Sequence, residues 1–186
     1  RLGDPINPGQ QVEGRDHYDR ETYEFRITSP ANNRIRGIAG IFYQLSEHEI
    51  HQRYYFSEDF RDSYEVTGWP DTIWLTEQTR TDEEMALFGE VSFDIFDNLT
   101  TTLGVRSFKT ENSLFGFFGF GAGFSGSTGE AACFAGPFRS APCTNLDEGT
   151  DESGELYRAN IEWNLDDDRM LYATYSEGFR PGGINR

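Results

Sequence analysis

The stretch that most constrains this chain runs from Leu156 to Gly183 and reads LYRANIEWNLDDDRMLYATYSEGFRPGG. Side chains of an extended strand alternate with a period of two. Tyr157, Ala159, Ile161, Trp163 and Leu165 therefore share one face, and Arg158, Asn160, Glu162 and Asn164 share the other. Asp166, Asp167 and Asp168 supply turn chemistry, because short carboxylates bond their own backbone. The chain then returns through Leu171, Ala173 and Tyr175, alternating with Tyr172, Thr174 and Ser176. The pattern predicts a β-hairpin with one apolar, aromatic face and one charged face. A soluble sandwich would bury the apolar face against a second sheet. A transmembrane barrel would turn it to lipid and the charges to an aqueous lumen.

The same rhythm recurs upstream. Tyr23, Phe25 and Ile27 alternate with Glu24 and Arg26, and Ser29 to Asn33 reads as a turn. A second strand is expected from about Arg34 to Leu45, with Arg36 and Gln44 on its more polar side. A third is expected from about Glu84 to Ile95, and a fourth from Leu99 to Arg106 after a turn at Asp97 and Asn98. Thr81 to Glu84 matches a helix capping box, but Gly89 and β-branched Val91 disfavour a helix there. The start, to about His17, reads as loop. So do Ser46 to Thr79 and Ser107 to Gly154, the latter containing the run LFGFFGFGAGFSGSTG.

Composition narrows the classes. Aromatics at 15% and the 20 glycines suit many strands, aromatic girdles and long loops better than a helical bundle. No run of about 18 apolar residues exists, so no transmembrane helix is expected. The formal charge of -16 disfavours nucleic acid as a partner, since phosphate contacts need a basic surface. Such acidity solvates loops, or it attracts cations and bridges to lipopolysaccharide through divalent ions.

Three phrases carry a family resemblance. YSEGFRPGG at Tyr175 to Gly183, NNRIRGIAGIFYQ at Asn32 to Gln44, and ALFGEVSFDIFDNLTTTLGVR at Ala86 to Arg106 resemble recurring strands of TonB-dependent outer-membrane receptors. The resemblance implies an all-β fold, an antiparallel up-and-down transmembrane β-barrel segment with short periplasmic turns and long extracellular loops. It implies about six strands of a larger barrel, since plugged transporters have about 22. Residues 1–186 would be part of the barrel domain, with the plug domain absent. In that family a scarce nutrient, commonly a ferric siderophore or similar chelate, is taken up across the cell outer membrane with energy from TonB. The implied partners are outer-membrane lipid and lipopolysaccharide, the TonB complex acting through the missing plug, and a small-molecule chelate. A passive porin and a soluble β-sandwich binding module are the alternatives. No catalytic set and no cofactor motif is expected.

On this reading Glu24, Arg26, Arg36, Gln44, Glu90, Arg106, Arg158, Asn160 and Glu162 face the lumen, either as a salt-bridged wall against the plug or as a path for substrate. Phe117, Phe118 and Phe120, in the expected Phe/Gly loop, are candidates for contact with an apolar or aromatic ligand. Cys133 and Cys143 form a disulfide if the loop lies in the oxidising exterior. Gly121, Gly123 and Gly126 match G-x-G-x-x-G, but without the strand-to-helix setting that a dinucleotide needs. His48, Glu49 and His51 lack metal-site spacing and read as loop residues. Asp147, Glu148, Asp151 and Glu152 lack the EF-hand pattern.

Overall fold

The computed structural model describes residues 9–56 and 62–184. Six strands form one sheet in chain order: β1 (Gln10–Thr28), β2 (Ile35–Phe56), β3 (Thr72–Phe96), β4 (Leu99–Phe120), β5 (Leu146–Asp166) and β6 (Arg169–Ser176). Every neighbouring pair is antiparallel. The sheet curls into half a barrel. Apart from short 3-10 turns at Asp62–Tyr64 and Gly129–Ala132, the described residues contain no helix. The turns after β1, β3 and β5 are short, and the connections after β2 and β4 are long, so loop length alternates between the two ends.

Strand existence and order match the sequence expectation, but strand length does not. β1 starts at Gln10, within the expected opening loop; the part of that loop before Gly9 lies outside the described residues. β2 continues to Phe56, β3 begins at Thr72, β4 runs on to Phe120, and β5 starts at Leu146. Much of the two expected long loops is therefore ladder. The reason is physical. From Ser46 to Gln52 on β2 and from Lys109 to Ser113 on β4 both faces are mostly polar, so the hydrophobic period fades, while backbone pairing needs no side-chain pattern. Thr81 and Glu84 of the apparent capping box pair across to Glu47 and Gln44 of β2 and to Ser113 and Thr110 of β4, which leaves their backbone no helical partner.

The register gives each strand an apolar and a polar face. Phe25, Ile41 and Leu87 stand side by side, as do Val91 and Leu103. Each of these side chains is more than half exposed, and no second sheet among the described residues covers them. Hydrophobic burial scales with apolar area removed from water, about 25 cal/mol per Å². Among the described residues nothing supplies that term to this band. The protein-made core is small: Val66, Leu75, Phe117 and Ala141, flanked by Trp69 and the Cys133–Cys143 pair. It forms where the two long connections fold against the far ends of β3 and β4.

Candidate functional site

The polar face is laid out by the same register. Glu24, Arg26, Arg36, Gln44, Glu90, Arg106, Arg158, Asn160 and Glu162 all fall on it. Arg26 pairs with Glu24, and Arg106 with Glu84. Arg36 grips Asp94 through both terminal nitrogens, with Nη2–Oδ1 at 2.6 Å, and Thr100 donates to the same carboxylate at 2.8 Å. Arg158 reaches Glu90 at 3.2 Å across Gly104, which has no side chain to block the way. Asn160 donates to Thr174 at 2.7 Å. These groups keep contact with solvent, so each pair contributes at most about 1 kcal/mol. Their effect is to hold side chains flat along the wall.

Towards the ends that carry the long connections, this face turns aromatic. Trp74 of β3 meets Phe120 edge-on at 4.8 Å between ring centroids and Phe118 at 6.0 Å. Phe124 extends the set, 4.6 Å from Phe120 and 6.0 Å from Tyr64. Tyr54 of β2 stands opposite Trp74. Ring pairs at such spacings add about 0.5–1.5 kcal/mol beyond their burial. The expected loop is thus strand β4 as far as Phe120, and the aromatics of that part divide by parity. Phe118 and Phe120 join the polar face. Phe117 points to the opposite face, is 0% exposed and packs in the small core, so it is unavailable to a ligand. The glycines of the run have a steric role: Gly116 and Gly119 adopt φ of 138° and 129°, which a side chain disfavours.

Two residues that carried no sequence signal hold this end in place. Asn145 clamps Phe118, accepting from its N–H at 3.0 Å and donating to its carbonyl at 2.8 Å, and it also donates to Gly129 at 2.9 Å. Glu130 ties the two long connections together, accepting from Thr67 N–H at 2.6 Å and Ala122 N–H at 3.0 Å. Neither lies in a periodic stretch, and capping side chains in loops leave no pattern to read.

Cys133 and Cys143 are bonded, with Cα atoms 5.9 Å apart. The loop they close is pinned on the apolar-face side. Ser140 donates to Glu77 and accepts from Trp69 Nε1 at 2.9 Å through its carbonyl, while Arg139 binds Glu49 and Thr79. The loop therefore does not cover the aromatic set. His48 and His51 lie in β2, not in a loop, and on opposite faces. His48 stacks on Tyr18 at 3.8 Å and His51 bonds Glu77 at 2.7 Å, so they do not converge on one ion. Asp147 and Asp151 face away from Glu148 and Glu152 on β5. Gly121, Gly123 and Gly126 sit in the connection after β4.

The family described as TonB dependent receptor-like, beta-barrel, matches residues 3–186. The chain belongs to the TonB-dependent receptor β-barrel family. Its place is accordingly the outer membrane, and the family is one of receptors and transporters, not of enzymes. The fold is shared with the ferric yersiniabactin uptake receptor FyuA from Yersinia pestis, at a TM-score of 0.62 and 12% identity over 89% of this chain. This chain spans 22% of the length of that receptor. No curated protein matches it in sequence.

Proposed function

We propose that this TonB-dependent receptor segment is part of the wall of an outer-membrane uptake receptor for a scarce nutrient carried as a small chelate, a ferric siderophore being the leading class. The polar face lines the lumen and the apolar band meets outer-membrane lipid and lipopolysaccharide. Energy comes from TonB acting on a plug domain carried elsewhere in the full polypeptide. The observation that carries the reading is the cluster of Trp74, Phe118, Phe120 and Phe124 at the long-loop end of the polar face, where a solute arriving from outside first meets the wall. Flat rings on a preorganised strand pair suit a ligand with aromatic or apolar surface. The name of the structural neighbour supports a ferric chelate as the ligand class.

The test uses the intact receptor in iron-starved cells supplied with radio-iron as a panel of ferric chelates. Uptake of at least one chelate is expected, abolished by loss of TonB and reduced by Trp74→Ala or Phe120→Ala. Uptake that survives loss of TonB would mark a passive pore. Uptake unaffected by either substitution would remove the aromatic cluster from the ligand path.

A further inference from the structure

We propose that Arg80 is an anion-receiving point on the polar face, taking one free carboxylate of the ligand whose rings rest on Trp74 and Phe118. The proposal deepens the reading above and rests on it. Arg26, Arg36, Arg106 and Arg158 on this face each meet a carboxylate. Arg20 is exposed. Arg80 is half-buried and has no carboxylate among the described residues. Its Nη2 donates to the Ile184 carbonyl at 3.4 Å, the long limit of a hydrogen bond, and its Nε is enclosed without a partner. Its neighbours in register are His48 and Leu114, and the nearby Asp82 carboxylate already accepts from Asn112.

An enclosed donor left unpaired costs about 1–3 kcal/mol, and more when charged. Such a group in a native fold calls for a partner that completes it. Guanidinium is planar and permanently charged, and its best complement is a planar oxyanion held by two parallel bonds. A neutral carbonyl at 3.4 Å is readily displaced by such a group. Position fits as well. Thr76 stands opposite Phe118, and Arg80 lies two repeats of the pleat further along β3 on the same face, about 13 Å from Thr76 at strand rise. The reach of the arginine side chain closes part of that span. Asp82, Glu148 and Glu152 on the same face repel a polyanion, so the complement is a single carboxylate on an otherwise uncharged chelate.

The experiment measures binding of two probes to the intact receptor in detergent: a ferric tris-hydroxamate carrying a phenyl ring and one free carboxylate, and its carboxamide twin. Wild type is expected to prefer the acid by about tenfold or more, the usual worth of a bond to a charged group. Arg80→Gln should remove the preference while leaving the amide unchanged, and Arg80→Lys should keep part of it. Trp74→Ala should weaken both probes alike. Equal binding of the twins by wild type, or a preference that survives Arg80→Gln, overturns the assignment. If wild type does not discriminate but Arg80→Gln lowers the melting temperature of the receptor, the partner is an acidic side chain of the protein itself, and the assignment also fails. If neither probe binds, the Arg80 assignment fails, and the chelate panel decides the wider reading separately. If Trp74→Ala acts and Arg80→Gln does not, the chelate reading stands and only Arg80 is lost.

Discussion

The Phe88 ring lies directly over Gly40, so close that a Cβ at Gly40 would sit 2.5 Å from the ring's Cζ and 2.6 Å from the Phe25 carbonyl. Phe88 and Gly40 are register partners on the polar face, and the ring covers backbone that glycine would otherwise leave bare. An aromatic laid on a strand glycine restores the packing that glycine lacks. Gly40→Ala is therefore expected to destabilise the barrel by about 1–3 kcal/mol, the usual cost of overpacking. Loss of the heat-modifiable folded band of the intact receptor on a gel would report it. Adding Phe88→Ala should rescue only part, because the Phe25 carbonyl is backbone and does not move aside. Full rescue would mean that the ring alone sets the requirement.

The apolar band makes a second prediction. Leu87 stands between Ile41 and Ser107 with more than half its surface uncovered by protein. Leu87→Arg should cost about 2–4 kcal/mol if hydrocarbon covers that position near mid-membrane, and about 0–1 near an interface. Unfolding of the intact receptor from lipid vesicles measures it. The same change at Ser107, its neighbour on β4, tests how far the band extends. A value near zero at Leu87 would mean that water, and not lipid, reaches the face.

How much of this was legible in the sequence depends on where hydrophobic contrast exists. From Tyr23 to Ile27 and from Gly89 to Phe93 the alternation is clean, and Ser29 to Asn33 between strands is rich in turn residues, so strand order, face assignment and the short turns could be read directly. Above Leu45 the outward side chains include Glu47 and Glu49, and the contrast that marks a strand is gone although the ladder continues to Phe56. The Phe/Gly run has contrast of a different kind. Separating Phe118 from Phe117 requires knowing that Leu114 to Phe120 is strand, and Gly116 and Gly119 interrupt its rhythm. Asn145 and Glu130 act through loop backbone, and no spacing rule announces such contacts. The pairing of Cys133 with Cys143 was accessible from compartment alone, but the seating of that loop on Glu77 and Glu49 was not.

That seating leads to a third prediction. The disulfide closes a loop with a sequence separation of 10, and the loop buries Ala141 in the small core with Val66, Leu75 and Phe117. Constraining the unfolded chain over so short a loop is worth about 2–3 kcal/mol. Reduction, or Cys133→Ser with Cys143→Ser, should free the loop from the wall while the six strands persist. Hydrogen exchange should rise at Ala141 and Thr144 and stay low along β3. Unchanged exchange would show that Ser140 and Arg139 hold the loop without help from sulfur.

The turn between β5 and β6 gives a pH prediction. The guanidinium of Arg169, and after it the N–H of Asp168, hold the Asp166 carboxyl below its ordinary value of 3.8. A carboxyl whose folded value is lowered lends stability above the value it has when unfolded, and loses it as pH falls through the folded value. The turn should therefore be at full strength near neutrality and above, and weaken only in acid below the usual carboxylate range. The group is exposed, so the effect is local fraying and not global unfolding. Carbon NMR of the Asp166 carboxyl in the intact receptor should titrate below 3.8, and amide exchange at Asp168 should accelerate over the same interval. Arg169→Gln should move the titration up towards 3.8, with the Asp168 bond retaining part of the shift. A midpoint unmoved by that substitution would show that the backbone N–H, and not the guanidinium, sets the value.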